Sequence, residues 1–242
     1  MRVHTNTALL RRRSRISGAF LLAATVCLIG GFLASLLQVE LGVQYAVSTG
    51  SLVVGLFLWS RNQSYLRRWG PRWRQDAKLE RALRGIDDRY HLLVAPGGSL
   101  PDYLLVGPMG VLVLLPLAVK GSVKVSKDRW THAEKRSLPL RLLLWFDPGP
   151  SFGDPPGQLR REIERTRFYL RPRLSDSLQN EAVFEGLAVF TDPGISLSVE
   201  GAQAMATSVR SLRNRVQRLP KGLSNTAITQ IVDALVSERS TQ

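Results

Sequence analysis

Two long windows without a single charge constrain this chain more than anything else in it. No Asp, Glu, Lys or Arg occurs between Arg15 and Glu40, and none between Glu40 and Arg61. Ile16 to Val39 reads ISGAFLLAATVCLIGGFLASLLQV, and Leu41 to Ser60 reads LGVQYAVSTGSLVVGLFLWS. A helix rising 1.5 Å per residue needs about 20 apolar residues to cross ~30 Å of hydrocarbon. The sequence therefore predicts transmembrane helices over about 16–39 and 41–60, paired as a hairpin because so little chain joins them. Gly18, Gly30 and Gly31 would weaken a soluble helix but suit close packing between membrane helices. Gln44, Ser48, Thr49 and Ser51 make the second window the more polar, and that face is expected against its partner. A cleaved signal peptide would carry an apolar run of about 7–15 residues. The first window is longer, and a second follows it at once.

Orientation follows from the flanks. Arg2, Arg11, Arg12, Arg13 and Arg15 precede the hairpin, Arg61, Arg67, Arg68, Arg72 and Arg74 follow it, and only Glu40 marks the tip. Positive flanks stay cytoplasmic, so both termini are expected inside. Trp59, Tyr65, Trp69 and Trp73 fit an aromatic belt, with 61–75 as a basic and aromatic juxtamembrane segment. Cys27 is the lone cysteine, which excludes an internal disulfide and a multi-cysteine zinc site, and its expected role is apolar packing. His4, His91 and His132 are scattered, which argues against a His-rich metal centre. The 242 residues carry a net charge of +14. Five of 33 basic and one of 19 acidic residues precede residue 61, leaving the remainder at +10. Such an excess suits phospholipid headgroups or nucleic acid and does not choose between them.

The expected organisation is an N-terminal arm and hairpin (1–60), the juxtamembrane segment (61–75) and an α/β domain (76–242). Leu79, Leu83 and Ile86 recur at helical spacing from Trp73 onward, and Gly85 with Asp87-Asp88 ends that run. YHLLVA (90–95), DYLLVG (102–107), VLVLL (111–115) and SVKVSK (122–127) read as strands, with turns at PGGSLP and Pro108-Met109-Gly110. LRLLLWF (140–146) is a further candidate strand within an irregular stretch. QLRREIERTRFYL (158–170) is an amphipathic helix, FEGLAVF (184–190) and SLSV (196–199) are strands, and helices are expected over about 202–219 and 225–238. A helix, hairpin-like strands, a helix and another strand imply a mixed β-sheet with helices on its faces.

Several stretches in this order resemble the NERD (nuclease-related) domain family of bacterial proteins. They are QDAKLERAL, YHLLV, PDYLLVGPMGVLVLLPLAVKG, DPPGQLRREI and GLAVFTDP, spanning about Asp76 to Leu212. The run D-Y-L-L-V-G-P-M-G-V is the most specific. The resemblance implies a restriction-endonuclease-like fold, distantly similar to PD-(D/E)XK nucleases, anchored in the bacterial cytoplasmic membrane. In that superfamily strand carboxylates hold Mg²⁺ and a lysine helps activate or orient water. By resemblance Asp102 takes the first strand carboxylate, making it a weak candidate metal ligand. Asp76 stands in the place of the helix glutamate, beside Gln75, and Gln158 keeps the glutamine of the later helix. The Glu-x-Lys pair is lost, since its positions hold Leu115 and Leu117 with Pro116 between them. Leucine offers Mg²⁺ no lone pair and manages no proton, and Pro116 is expected to disturb strand pairing. Lys120 and Asp128 are the nearest groups that could have taken over the lost roles. Asp102, Asp76 and Gln158 thus read as remnants of an inactive nuclease centre, with Mg²⁺ relevant only if the site works.

No other chemistry stands out. PGGSLP lacks the lysine and hydroxyl of a phosphate loop, and GISLSVEG lacks the G-x-S-x-G spacing of a nucleophile elbow. Arg160, Arg161, Arg165, Arg167, Arg171 and Arg173 alternate with Glu162 and Glu164, as a solvated helix face does. Arg210, Arg213, Arg215 and Arg218 form a purer basic cluster and are the candidate nucleic-acid contacts. The expected partners are membrane lipid together with nucleic acid or a protein, and no small-molecule cofactor. Three activities fit: a binding or scaffold module, an active Mg²⁺-dependent phosphodiesterase with rearranged residues, and a membrane protein whose domain meets only another protein.

Overall fold

The computed structural model describes residues 1–36, 41–69, 75–97, 100–126, 129–133, 153–200 and 205–236. It divides into two compact units, Thr7–Arg74 and the rest, Met1–Asn6 with Gln75–Gln242. The break between Arg74 and Gln75 falls within a residue of the start expected for the α/β domain, at 76. Residues 1–6 are no free arm of the hairpin, because Arg2–Thr5 is a strand (β1) of the second unit's sheet.

The first unit is a pair of helices, α1 (Thr7–Ala34) and α2 (Leu41–Trp69). Ser51 Oγ donates to the Cys27 carbonyl at 2.6 Å, and Gln44 Nε2 donates to that of Ser35. The contacts run down one helix as they run up the other, so the helices are antiparallel. Gly31 lets them approach closely, since a Cβ there would meet Ser51 at 2.9 Å. Polar Gln44 and Ser51 thus turn to the partner, whereas Thr49 is exposed. Leu22, Val26, Phe32, Val53 and Phe57 point outward, each at least 60% exposed. Two boundaries differ from expectation. α1 stops at Ala34 instead of 39, where the Ser35 hydroxyl bonds the Phe32 carbonyl and competes with the helix ladder. α2 continues past residue 60 to Trp69, so part of the juxtamembrane segment is the same helix. Among the described residues one helix, over Gly42–Ser60, is long and apolar enough to cross a membrane; the apolar stretch of α1 is the shorter Gly18–Ala34.

The second unit is α/β. Helix α3 (Asp76–Ala82) leads to β2 (His91–Val94), β3 (Tyr103–Gly107) and β4 (Gly110–Leu117), an antiparallel meander. The turn at Pro108-Met109 pairs Gly107 with Gly110. β5 (Ser122–Ser126) and β6 (Arg129–Ala133) form a hairpin, and α4 (Pro155–Leu170) then crosses back to β7 (Phe184–Phe190), parallel to β4. A 3₁₀ turn (Arg171–Arg173) and α5 (Asp176–Glu181) lie between them. β8 (Ser196–Glu200), β9 (Ala206–Ser208), α6 (Leu212–Gln217) and α7 (Asn225–Val236) complete the chain. One sheet has the order β1-β2-β3-β4-β7-β9 and a smaller one β6-β5-β8. One face of the large sheet, through Leu93, Leu104, Val106, Val111, Val113 and Ala188, packs on Leu159 and Leu170 of α4 and on Ile228, Ile231 and Leu235 of α7. Burying such side chains is the main stabilising term of the domain.

The α/β class and the mixed sheet with flanking helices agree with the sequence reading. α4 begins three residues earlier than expected, because Asp154 caps it, accepting from the Gly157 amide at 3.1 Å, and Pro155 suits the first helical position. The helix expected over 202–219 is the larger error: Ala206–Ser208 is a strand beside Ala188–Phe190, and among the described residues of that stretch only Leu212–Gln217 is helical. The pairing gives the β-branched Thr207 a sheet neighbour, which outweighs its weak helix propensity. Pro116 does not break its strand. β4 stays in register with β7 as far as Leu117, and Pro116 falls beyond Val113, where the ladder to β3 has ended. The candidate strand 140–146 lies outside the described residues.

Gly110 opens β4 with φ +109°, and a methyl group there would run into the Val183 carbonyl. That carbonyl also accepts from the Val111 amide at 2.9 Å. Gly110→Ala is therefore expected to destabilise the domain by at least about 2 kcal/mol, measured by denaturant titration of the purified chain.

Candidate functional site

Strand register decides which of the candidate residues come together. β3 and β4 pair as far as Leu104 with Val113, so Asp102, just before β3, lies toward the end of β4 that holds Leu115. Alternation puts Asp102 on the face of Leu104, and Leu115 and Leu117 on the face of Val113, which is the same face. α4 packs on that face antiparallel to β4 and β7. Its Leu159 and Ile163 close over Gly186, and Arg167 lies 5.6 Å from the Phe184 ring centroid. The first turn of α4, with Gln158, therefore lies toward the end of the sheet where Asp102, Leu115 and Leu117 gather. Asp76 reaches that end from the other face. The Gln75 amide, just before α3, donates to Tyr103 Oη at 3.3 Å, and Tyr103 alternates with Asp102. Lys78 Nζ of the same helix donates to the Thr191 carbonyl beyond β7.

The chemistry at this end is thin. Leu115 and Leu117 are half-buried and pack against the α4 and α7 core. Asp102 is half-exposed, and its carbonyl accepts from the Ala95 amide at 2.7 Å, closing the β2–β3 turn. Gln158 is half-buried, and its amide closes the first turn of α4 on the Asp154 carbonyl at 3.0 Å. Mg²⁺ demands near-octahedral oxygen ligands held by at least one or two carboxylates. One strand carboxylate facing a leucine does not fit that demand, and among the described residues no group of three or more His, Cys, Asp or Glu could hold a metal. Lys120 does not reach in as a substitute: it is exposed, and its carbonyl is held by His132 Nε2 at 2.7 Å. Asp128 lies outside the described residues.

The basic cluster is not one stripe. Arg213 and Arg215 sit two positions apart on α6, about 200° around the helix, and flank the buried pair Leu212 and Val216 on opposite sides. Arg213 Nη2 donates to the Gly85 carbonyl at 3.0 Å, just past α3, so this arginine ties two elements together. Arg210 and Arg218 are exposed beyond the helix ends. The arginines of α4 and of the 3₁₀ turn that follows it are partly engaged with their own surroundings. Arg173 caps the Tyr169 carbonyl at 2.8 Å and lies over its ring, and Arg165 pairs with Glu162 at 3.6 Å.

Sequence reasoning missed a second place, at the opposite edge of the sheet. A cavity of about 350 Å³ opens between β1, β2 and α7, lined by Arg2, His4, Asp88, Arg89, His91 and Asp233 among others. His4 Nε2 and His91 Nδ1 stand 3.1 Å apart across the β1–β2 pair. Burial holds the His91 imidazole below its usual range, with His4, Arg2 and the Met1 amine adding to the effect and Asp233 opposing it. No local pattern could have joined two histidines 87 residues apart.

If Arg213 serves the fold, Arg213→Ala should cost about 1 kcal/mol in thermal melts, the usual worth of one hydrogen bond. Arg210→Ala and Arg218→Ala should stay within about 0.5 kcal/mol of the parent.

Comparisons with protein-family models, with curated proteins and with solved structures find no match to this chain.

Proposed function

We propose that this chain is a membrane-anchored α/β domain that works by binding, as a degenerate nuclease-related (NERD-like) module that does not cut. In this reading α1 and α2 form a transmembrane hairpin in the bacterial cytoplasmic membrane, with both termini cytoplasmic. The observation that carries the anchor is the helix pair itself, whose polar Gln44 and Ser51 face inward while leucine, valine and phenylalanine side chains face out. Exposed to water, such an apolar surface would be a liability; in lipid it is at home. The strand β1 adds a topological argument. The chain leaves the domain's sheet at Thr5 and belongs to the same domain again from Gln75. Whatever α1 and α2 cross, they cross an even number of times. The arginines that flank the hairpin in sequence on both ends favour the cytoplasm.

The NERD-like reading rests on the order α3-β2-β3-β4-α4-β7 and on where that order places the motif residues. Asp102, Leu115, Leu117 and Gln158 gather at one end of one face, where the family's carboxylate, Glu-x-Lys and glutamine positions would be needed together. Two of these positions now hold leucines that add to the core. The site has become a packing surface, which favours a scaffold over an active phosphodiesterase. Its partner would be nucleic acid, held through phosphates, or another protein.

Topology can be read by labelling a Cys27→Ser background with a membrane-impermeant maleimide. Glu40→Cys should label in intact cells, and Gln242→Cys only after lysis. A C-terminus labelled in intact cells would sink the proposed orientation. The purified chain should leave labelled DNA and RNA intact with Mg²⁺ or Mn²⁺ present, and Asp102→Ala should change nothing. Cleavage that Asp102→Ala abolishes would restore the active phosphodiesterase. Leu115→Glu should cost only about 1–2 kcal/mol, because a half-buried carboxylate keeps contact with water.

A further inference from the structure

We propose that the His4–His91 pair is an acid-sensitive clasp: it holds β1 on the sheet while one ring is neutral and lets β1 go when both are protonated. The two rings lie within 16° of parallel with centroids 5.3 Å apart, and the facing nitrogens, 3.1 Å apart, meet between them. Such a contact is an N–H···N hydrogen bond, which needs one unprotonated nitrogen as acceptor. With both rings charged, two N–H groups confront each other and attraction becomes repulsion.

The clasp adds to a short list of contacts that secure β1, among them the Met1 amine on Asp88 at 2.6 Å and on the Ile86 carbonyl at 3.2 Å. Only four residues pair, Arg2–Thr5 with His91–Val94, and β1 lies at the sheet edge with no outer strand among the described residues. None of the four side chains is fully buried, and Val3 is 39% exposed, so apolar burial contributes little. The backbone adds Arg2 N–H to the Tyr90 carbonyl and Asn6 N–H to that of Val94.

The surrounding charges sharpen the response. Arg2 and the Met1 amine come from the β1 side, Asp88 and Arg89 from the turn before β2, and Asp233 from α7. Asp88 is engaged by the Met1 amine at 2.6 Å, and Arg89 by Asp87 at 2.6 Å. That leaves Asp233 as the carboxylate opposing a second imidazolium, and its influence on His91 is smaller than those of His4 and Arg2. His91 is held below its ordinary value of 6.5 in the folded chain. The unfolded segment therefore takes up protons first, so this contribution to stability is full above pH 6.5 and is lost as pH falls below it. Release of β1 would free the outer edge of β2, a row of backbone donors and acceptors that another extended chain could pair with.

Amide hydrogen exchange of the full chain in detergent micelles, at pH 7.5 and 5.5 and corrected for the intrinsic rate, reads the clasp directly. Residues 2–6 should lose protection severalfold at pH 5.5, with β3, β4 and β7 unchanged. His4→Gln presents an amide that can both donate and accept, so its β1 should stay protected at both pH values. His91→Gln is the mirror variant should the first fold poorly. Wild-type β1 protection that does not change with pH would overturn the proposal. So would an equal loss in both glutamine variants, which would assign the effect to another group.

Discussion

The pairing of β4 along both of its edges is the interaction on which the rest of the domain depends. Gly110 to Val113 bond antiparallel to β3, and Val111 to Leu117 bond parallel to β7. The parallel pair cannot be closed by a tight turn, so a crossover is forced, and α4 supplies it over a fully buried sheet face. The smaller sheet hangs from the same strand. Leu117 touches both the main core and the cluster of Val123, Val125, Phe190 and Ala206, and its carbonyl accepts from the Thr191 amide at 3.0 Å. Where β4 ends, two sheets and the start of the crossover all meet.

Leu115 and Leu117 lie at that junction, and in the proposed NERD-like reading they would replace chemistry with packing without loss of the fold. A carboxylate and a lysine at positions 115 and 117 would have to be kept wet or bound to metal beside the α4 core. Leucines need neither. Positions 115 and 117 lie at the rim of the core, so apolar side chains there extend an existing contact. The Asp102 carbonyl closes the turn with the Ala95 amide, a backbone role that asks for no particular side chain.

The parts of this fold that were legible in the sequence are those whose burial is written locally. YLLVG, VLVLL and FEGLAVF are short apolar runs between turn residues, and each is a strand within a residue or two of its expected bounds. The parts that were not legible depend on distant partners. RVHT has no pattern of its own and becomes a strand only because His91–Val94 lies beside it. ATS was read as helix because arginines and leucines follow it at helical spacing, yet its partner strand lies 18 residues upstream. The candidate site divides in the same way. Motif order proposed Asp102, Leu115 and Leu117 as site positions, whereas the split of the four arginines around α6 needed the helix ends, and the histidine pair needed the sheet.

The position of β1 in the chain has a consequence for the order in which the molecule assembles. Its partner β2 is synthesised some 87 residues later, after both long helices. Closing a flexible loop of that length costs about 4 kcal/mol beyond a constant term, more than a four-residue edge strand readily offsets. The helix pair shortens the problem. Once α1 and α2 lie antiparallel, the ends of the loop are brought back toward each other and the effective loop is far smaller. β1 is thus expected to dock last, after the helices have paired and β2 has joined the sheet.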